Sequence, residues 1–222
     1  MLRKLILIPL FTVLIAVACG RSNFNSAQDK AALANESKEP PVKYVLKMGD
    51  QEIAIQEGKA VQLEGTFTDP EITLTAEPHR VFPYQGISFK YPRAFTFEAD
   101  LGDETYKNWT LSGNDFKIMY FVMEDPLTPE AFSENLVSEF GEENCTVEKA
   151  SPLPFGSKQL SGITLHASIV GNPIVMDIYA IPHSDRRTRL LVLQDNIDDV
   201  GERSAEGKST LRLIEESSQL QP

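Results

Sequence analysis

Catalysis and ligand binding need particular residue types at particular spacings, and only a few places in this chain offer them. Cys145 and His166 would make a thiol–imidazole pair if the fold brought them together, since a reactive thiolate needs a neighbouring base or cation. A Gly-x-Ser-x-Gly elbow, the usual mark of a serine hydrolase, does not occur. Gly207-Lys208-Ser209 ends like a phosphate-binding loop, but the upstream glycine that lets the backbone wrap a phosphate falls on Glu202. Asp195-Asn196-Ile197-Asp198-Asp199 carries many oxygens. It has Ile197 and Val200 where an EF-hand loop needs a ligand and a glycine. That stretch reads as a solvated loop followed by a helix cap. His79, His166 and His183 form no metal-ligand pair and no Cys-x-x-Cys exists, so neither a metal nor another cofactor is expected. Arg186, Arg187 and Arg189 cluster on an otherwise acidic chain. Guanidinium groups suit carboxylate and phosphate recognition, which makes this hairpin tip the expected contact with a partner.

The elements that must position these residues follow from periodicity. Apolar residues alternate with polar ones through Tyr44, Leu46 and Met48, again at Ile53 and Ile55, and again at Ile72, Leu74 and Ala76. Residues 42–82 therefore read as a small β subdomain of short antiparallel strands. Residues 83–222 read as an α+β domain. Its clearest element is a helix with Thr128 as cap, Pro129 at the first position, a Leu127–Phe132 staple and Gly141 as stop. Phe132, Leu136 and Phe140, with Val137 beside them, give that helix one apolar face. A meander follows: Ile163 to Ile169, a turn at Gly171-Asn172, Ile174 to Ala180, and a third strand from Arg189 to Gln194. Asp199 with Glu202 has capping-box spacing for a last helix that buries Leu211 and Ile214 and is weakened by Gly207.

The amino terminus supplies an address. Arg3-Lys4 precede an uncharged run from Leu5 to Ala18 that is 14 residues long. That is short of the ~17–25 residues needed to cross a bilayer, but suits the apolar region of a secretory signal. The signal ends Ala16-Val17-Ala18-Cys19-Gly20. Small residues followed at once by cysteine resemble the lipobox of bacterial lipoproteins. The resemblance implies cleavage of 1–18, a diacylglyceryl group on Cys19 and attachment to the cell envelope. Gly20, rather than aspartate, after the cysteine resembles the outer-membrane sorting pattern of Gram-negative lipoproteins, which would face the domain to the periplasm. Residues 19–41 hold little that could enter a core and read as a tether, with a root-mean-square reach of roughly 25 Å as a flexible coil.

Loss of Arg3 and Lys4 with the signal leaves 19 basic against 32 acidic residues, a net charge of −13. That balance excludes nucleic acid as a partner, since such binding rests on neutralising phosphates, and no nucleotide site is present. With Cys19 acylated, Cys145 has no disulfide partner, so the core must hold the fold.

Gly86-Ile87-Ser88-Phe89-Lys90-Tyr91-Pro92 resembles the opening strand of PsbP-like domains. The order of later elements is similar too. The resemblance implies an antiparallel sheet with helices packed on it and a non-enzymatic binding or assembly role. The expected function is that of a membrane-anchored, non-catalytic envelope lipoprotein that binds a protein or ligand. The alternatives are an exported hydrolase or thiol enzyme with an unrecognised site, and a purely structural or secretion-assembly lipoprotein.

Overall fold

Residues 34–65, 68–102, 105–198 and 200–221 are described by the computed structural model. The signal, Cys19, the first part of the tether and Asp199 lie outside them. The first alternating segments become β1 (Lys43–Met48), β2 (Gln51–Gln56) and β3 (Ile72–Ala76), an antiparallel sheet in the order β2-β1-β3. Leu46 stands opposite both Ile53 and Leu74, and Met48 opposite Ile72, so apolar side chains collect on one face. Lys47, Glu52 and Thr73 share the other face.

The next strand departs from the sequence grouping. β4 (His79–Phe82) pairs not with the small sheet but with β5 (Ile87–Pro92). Phe82 stacks on Phe89 with ring centroids 5.0 Å apart, and both are buried in the main core. Burying two aromatic rings outweighs continuing the outer sheet.

There follow β6 (Thr96–Asp100), β7 (Tyr106–Ser112), β8 (Phe116–Met123), α1 (Pro129–Phe140) and β9 (Cys145–Lys149). After them come the short hairpin β10 (Leu153–Phe155) and β11 (Lys158–Leu160), then β12 (Gly162–Ile169), β13 (Asn172–Ala180) and β14 (Thr188–Asn196). α2 (Ala205–Ser217) and β15 (Gln219–Leu220) end the chain's regular structure. Seven strands form the central antiparallel sheet in the order β6-β7-β8-β14-β13-β12-β9, and β15-β5-β4 makes a smaller one. The class is α+β, with helices packed on antiparallel sheet.

Both faces of the central sheet are buried. On one, Trp109, Leu111, Ile118, Tyr120, Leu191 and Leu193 meet β4, β5 and Ile214 of α2. On the other, Met119, Phe121, Leu165, Met176, Ile178 and Val192 meet Leu136, Phe132 and Val137 of α1. α1 is capped as its sequence predicts: the Thr128 hydroxyl accepts from the Ala131 N–H at 3.2 Å, and the Gly141 N–H donates to the Val137 carbonyl at 2.9 Å. α2 begins at Ala205 with Ser204 as its cap, whose hydroxyl accepts from the Gly207 N–H at 2.8 Å. Among the described residues no helix is long and apolar enough to cross a membrane.

The tether is shorter than its composition suggests. From Glu36 onward the chain is docked on the domain. The Glu36 carbonyl accepts from the Trp109 indole N–H at 2.8 Å, and its carboxylate accepts from Lys107 Nζ at 3.0 Å and from the Gln85 amide. The Lys38 carbonyl accepts from the Tyr84 hydroxyl, Glu39 pairs with Arg80, and Pro40 is buried. Polar residues look like linker by composition, yet here they satisfy donors that an aromatic cluster would otherwise leave unpaired.

Candidate functional site

The arginine cluster does not present a three-pronged tip. Arg189 lies on β14 opposite Val122, on the face that also buries Tyr120, and is 2% exposed. Its guanidinium makes a two-nitrogen pair with Asp185, with Nη2 to Oδ2 at 2.8 Å, and its Nε donates to the Gln85 carbonyl at 3.3 Å. Arg187 donates to the same carboxylate from Nε at 3.0 Å and Nη2 at 2.8 Å. Hydrogen bonding from Arg189, ahead of that from Arg187, holds the Asp185 carboxyl well below the usual carboxylate range. Arg186 alone of the three is exposed and carries no such pairing with Asp185. The sequence treats the three arginines alike, but strand alternation sends Arg189 inward. There it locks the turn at Gln85, whose carbonyl also accepts from the Tyr120 hydroxyl at 2.9 Å. Burial pushes the Tyr120 phenol up.

The concave surface lies elsewhere, around β9. This strand closes one side of the central sheet, and among the described residues no strand pairs with its outer edge. Thr146, Val147, Glu148 and Lys149 are all exposed, and Val147 is 48% so. The Ala150 N–H donates to the Gly162 carbonyl at 3.0 Å, marking that opposed pair as hydrogen-bonded. Bonded and non-bonded pairs alternate along an antiparallel ladder. Glu148 and Thr146 therefore bond inward to β12, while the backbone N–H and C=O of Val147 and Lys149 point outward.

A depression flanks each face of this edge. On the α1 face a groove of about 450 Å³ is lined by Val137, Val147 and Ile163, with Glu130, Glu134 and Glu142 around it. On the other face a depression of about 340 Å³ is lined by Glu148, Thr164, His166, Asp177, Tyr179 and Arg203, among others. Much of its floor is internally paired, while Arg203 Nη1 is buried without a partner. Asp177 accepts from Thr164 Oγ1 at 2.7 Å and from Arg203, and His166 Nε2 stands 3.1 Å from Glu148 Oε1. The Tyr179 hydroxyl donates to the Ser151 carbonyl at 3.0 Å, and burial, then the Asp177 charge, push its phenol up.

No family model matches the chain, and no curated protein matches it by sequence. Among solved structures it is similar to the crystal structure of LpqN, involved in cell envelope biogenesis of Mycobacterium tuberculosis. Identity is 14%, the match covers 66% of this chain and 87% of that one, and the TM-score is 0.38.

The thiol–imidazole pair considered from sequence is not assembled. Cys145 stands opposite Ala167 and His166 opposite Thr146, neighbouring pairs whose side chains leave the sheet on opposite faces. Burial, then Glu143, pushes the Cys145 thiol up, away from the thiolate. His183 sits instead beside Asp185, with Nδ1 3.4 Å from Oδ1.

Asp195, read from sequence as part of a solvated loop, is structural. It is fully buried at the end of β14, where its Oδ1 accepts from the Ser204 hydroxyl at 2.6 Å. Its other oxygen lies against Gly207, where a Cβ would come within 2.0 Å of it. The glycine that weakens α2 on paper is what admits this carboxylate under the helix amino terminus, where the dipole favours negative charge. Burial pushes the Asp195 carboxyl up. Glu206 reaches back to accept from the Asp115 and Phe116 N–H groups at 2.6 and 3.0 Å, tying α2 to β8. The only sequence sign of these contacts was an otherwise unexplained Gly207.

Proposed function

We propose that this protein is a lipid-anchored, non-catalytic envelope lipoprotein that binds a protein partner through the β9 side of its central sheet. The observation that carries the reading is the β9 edge itself: an unpaired strand edge with a concave surface on each face. Natural sheets shield such edges with charge, bulges or covering segments. At the opposite side β6 follows that rule, placing Glu98 and Asp100 on its exposed positions. β9 also carries charge, at Glu148 and Lys149, but exposes Val147 between them and Thr146.

The anchor supports the same arrangement. Acylation of Cys19 would bring the membrane to the chain's amino-terminal side, and the chain joins the domain at Glu36, beside Lys107 and Trp109 of β7. β7 and β9 are five strand spacings apart in the sheet, about 24 Å at ~4.8 Å each. The β9 edge is thus held on the far side from the attachment point, and tethering raises its local concentration at the envelope. An outer-membrane, periplasm-facing location follows from Gly20 where the host is Gram-negative. The domain reads as PsbP-like, the Gly86–Pro92 segment forming the buried strand β5.

A photo-crosslinking amino acid at Ser138, on the groove, tests this in the native membrane against one at Glu98 on β6. A protein adduct at Ser138 that is absent at Glu98 and lost in Cys19→Ala is the expected result. Adducts at both sites alike, or at neither, would remove β9 as the contact surface.

A further inference from the structure

The geometry points to an added strand: we infer that β9 accepts an extended segment of its partner, with an apolar residue opposite Val147 and lysine or arginine on either side of it. This rests on the β9 reading above and names the chemistry of its occupant.

The backbone comes first. Val147 and Lys149 offer two N–H and two C=O groups along one line, the register an incoming strand needs. The Cys145 N–H is already spent on the Glu142 carbonyl, so pairing stops there. Only a chain in β conformation can meet these groups.

Side chains follow from the pleat. A residue opposite Val147 leaves the new strand on the α1 face and enters the groove between Val137, Val147 and Ile163. The residues on either side of it leave on the other face, over Glu148 and Thr146. Glu148 has a side chain 67% exposed and, among the described residues, pairs with His166.

Charge favours a basic segment overall. From Pro129 to Asn144 the chain carries Glu130, Glu134, Glu139, Glu142 and Glu143 and no lysine or arginine. Three of these surround the groove. These glutamates lie on the α1 face beside Lys149 and act on the segment through their net field, while the flanking side chains themselves meet Glu148 on the other face. The same charges oppose a second copy of this chain, since β9-to-β9 pairing would bring two such glutamate sets together.

The test uses the full chain and three labelled, blocked nine-residue peptides. One alternates valine and lysine, one alternates valine and glutamate, and one repeats the lysine peptide with a central proline. Binding is read by anisotropy, and its place by amide hydrogen exchange. The lysine peptide should bind and slow exchange at Val147 and Lys149. The glutamate and proline peptides should bind about tenfold or more weakly, the scale of a lost backbone hydrogen bond with its apolar contact. Val147→Pro removes an outward N–H and leaves the bonds to β12 intact, so it should weaken the lysine peptide by a similar factor. Glu134→Lys with Glu142→Lys, both on the surface, should do the same without touching the strand.

Equal binding of the lysine and proline peptides would overturn the inference in favour of diffuse charge attraction. Protection on β6 instead of β9, or crosslinking of Ser138 sites between two copies, would overturn it as well. If the Ser138 crosslink finds a partner while the peptides show no preference, the contact surface stands and this occupant falls. If the peptides behave as expected and the membrane crosslink is silent, the occupant's chemistry stands and the envelope role falls.

Discussion

Arg189 shows how one side chain changes meaning between sequence and structure. It is buried, while its partner Asp185 keeps 33% of its side chain exposed. Removing the guanidinium leaves a carboxylate only partly solvated and frees the Gln85 carbonyl from one donor. Arg189→Ala should destabilise by about 3 kcal/mol, the low end for breaking a buried pair, because Asp185 stays partly solvated. Arg186→Ala should stay within about 0.5 kcal/mol. Urea denaturation distinguishes the two. The pair also sets an acid limb. Because the folded Asp185 carboxyl titrates below its unfolded value, its contribution is present above the unfolded pKa of about 4. It is lost as pH falls from there toward the folded pKa. Thermal melts between pH 6 and 2 should therefore show a decline below about pH 4 that is shallower in Arg189→Met.

At the scale of elements, α1 and α2 follow different rules. α1 is written by local signals: cap, proline, apolar face and stop all lie within its own stretch. α2 depends on its neighbours, since Ser204 serves Asp195 as well as the helix, and Glu206 serves β8. Helix propensity alone says that Gly207→Ala should stabilise α2 by about 1 kcal/mol. The carboxylate of Asp195, 2.0 Å from where the new methyl would stand, reverses the sign. A loss of about 2–3 kcal/mol is expected in chemical denaturation, in line with overpacking. With Asp195→Ala as background the obstacle is gone, and the same change should become stabilising by up to about 1 kcal/mol. Equal effects in both backgrounds would mean that Asp195 is not what Gly207 accommodates.

For the whole molecule, the segment from Glu36 to Pro40 covers the aromatic cluster beneath it. Tyr84 stacks on Trp109 at 5.9 Å, and Trp109 is the chain's single tryptophan. Deleting residues 20–41 should leave the central sheet folded, shift tryptophan emission to the red and raise acrylamide quenching. It should cost about 2 kcal/mol through the indole's lost hydrogen bond and the neighbouring contacts. Unchanged emission would show that the segment does not cover Trp109.

The sequence by itself determined what depends on near neighbours. α1 with both ends, the meander from Ile163 to Gln194 and the α+β class were legible because spacing and capping act within a few residues. The acidic charge needs only composition. Tertiary structure decided whatever depends on which face a residue takes or which strand lies beside it. It sent Arg189 inward and Cys145 and His166 to opposite faces. It moved β4 onto the aromatic core, docked Glu36 on Trp109, and left β9 as the sheet edge that exposes a valine beside a groove. Exposed valine at an edge and buried valine at a centre look alike in a sequence, because period two names the faces of a strand but not its neighbours.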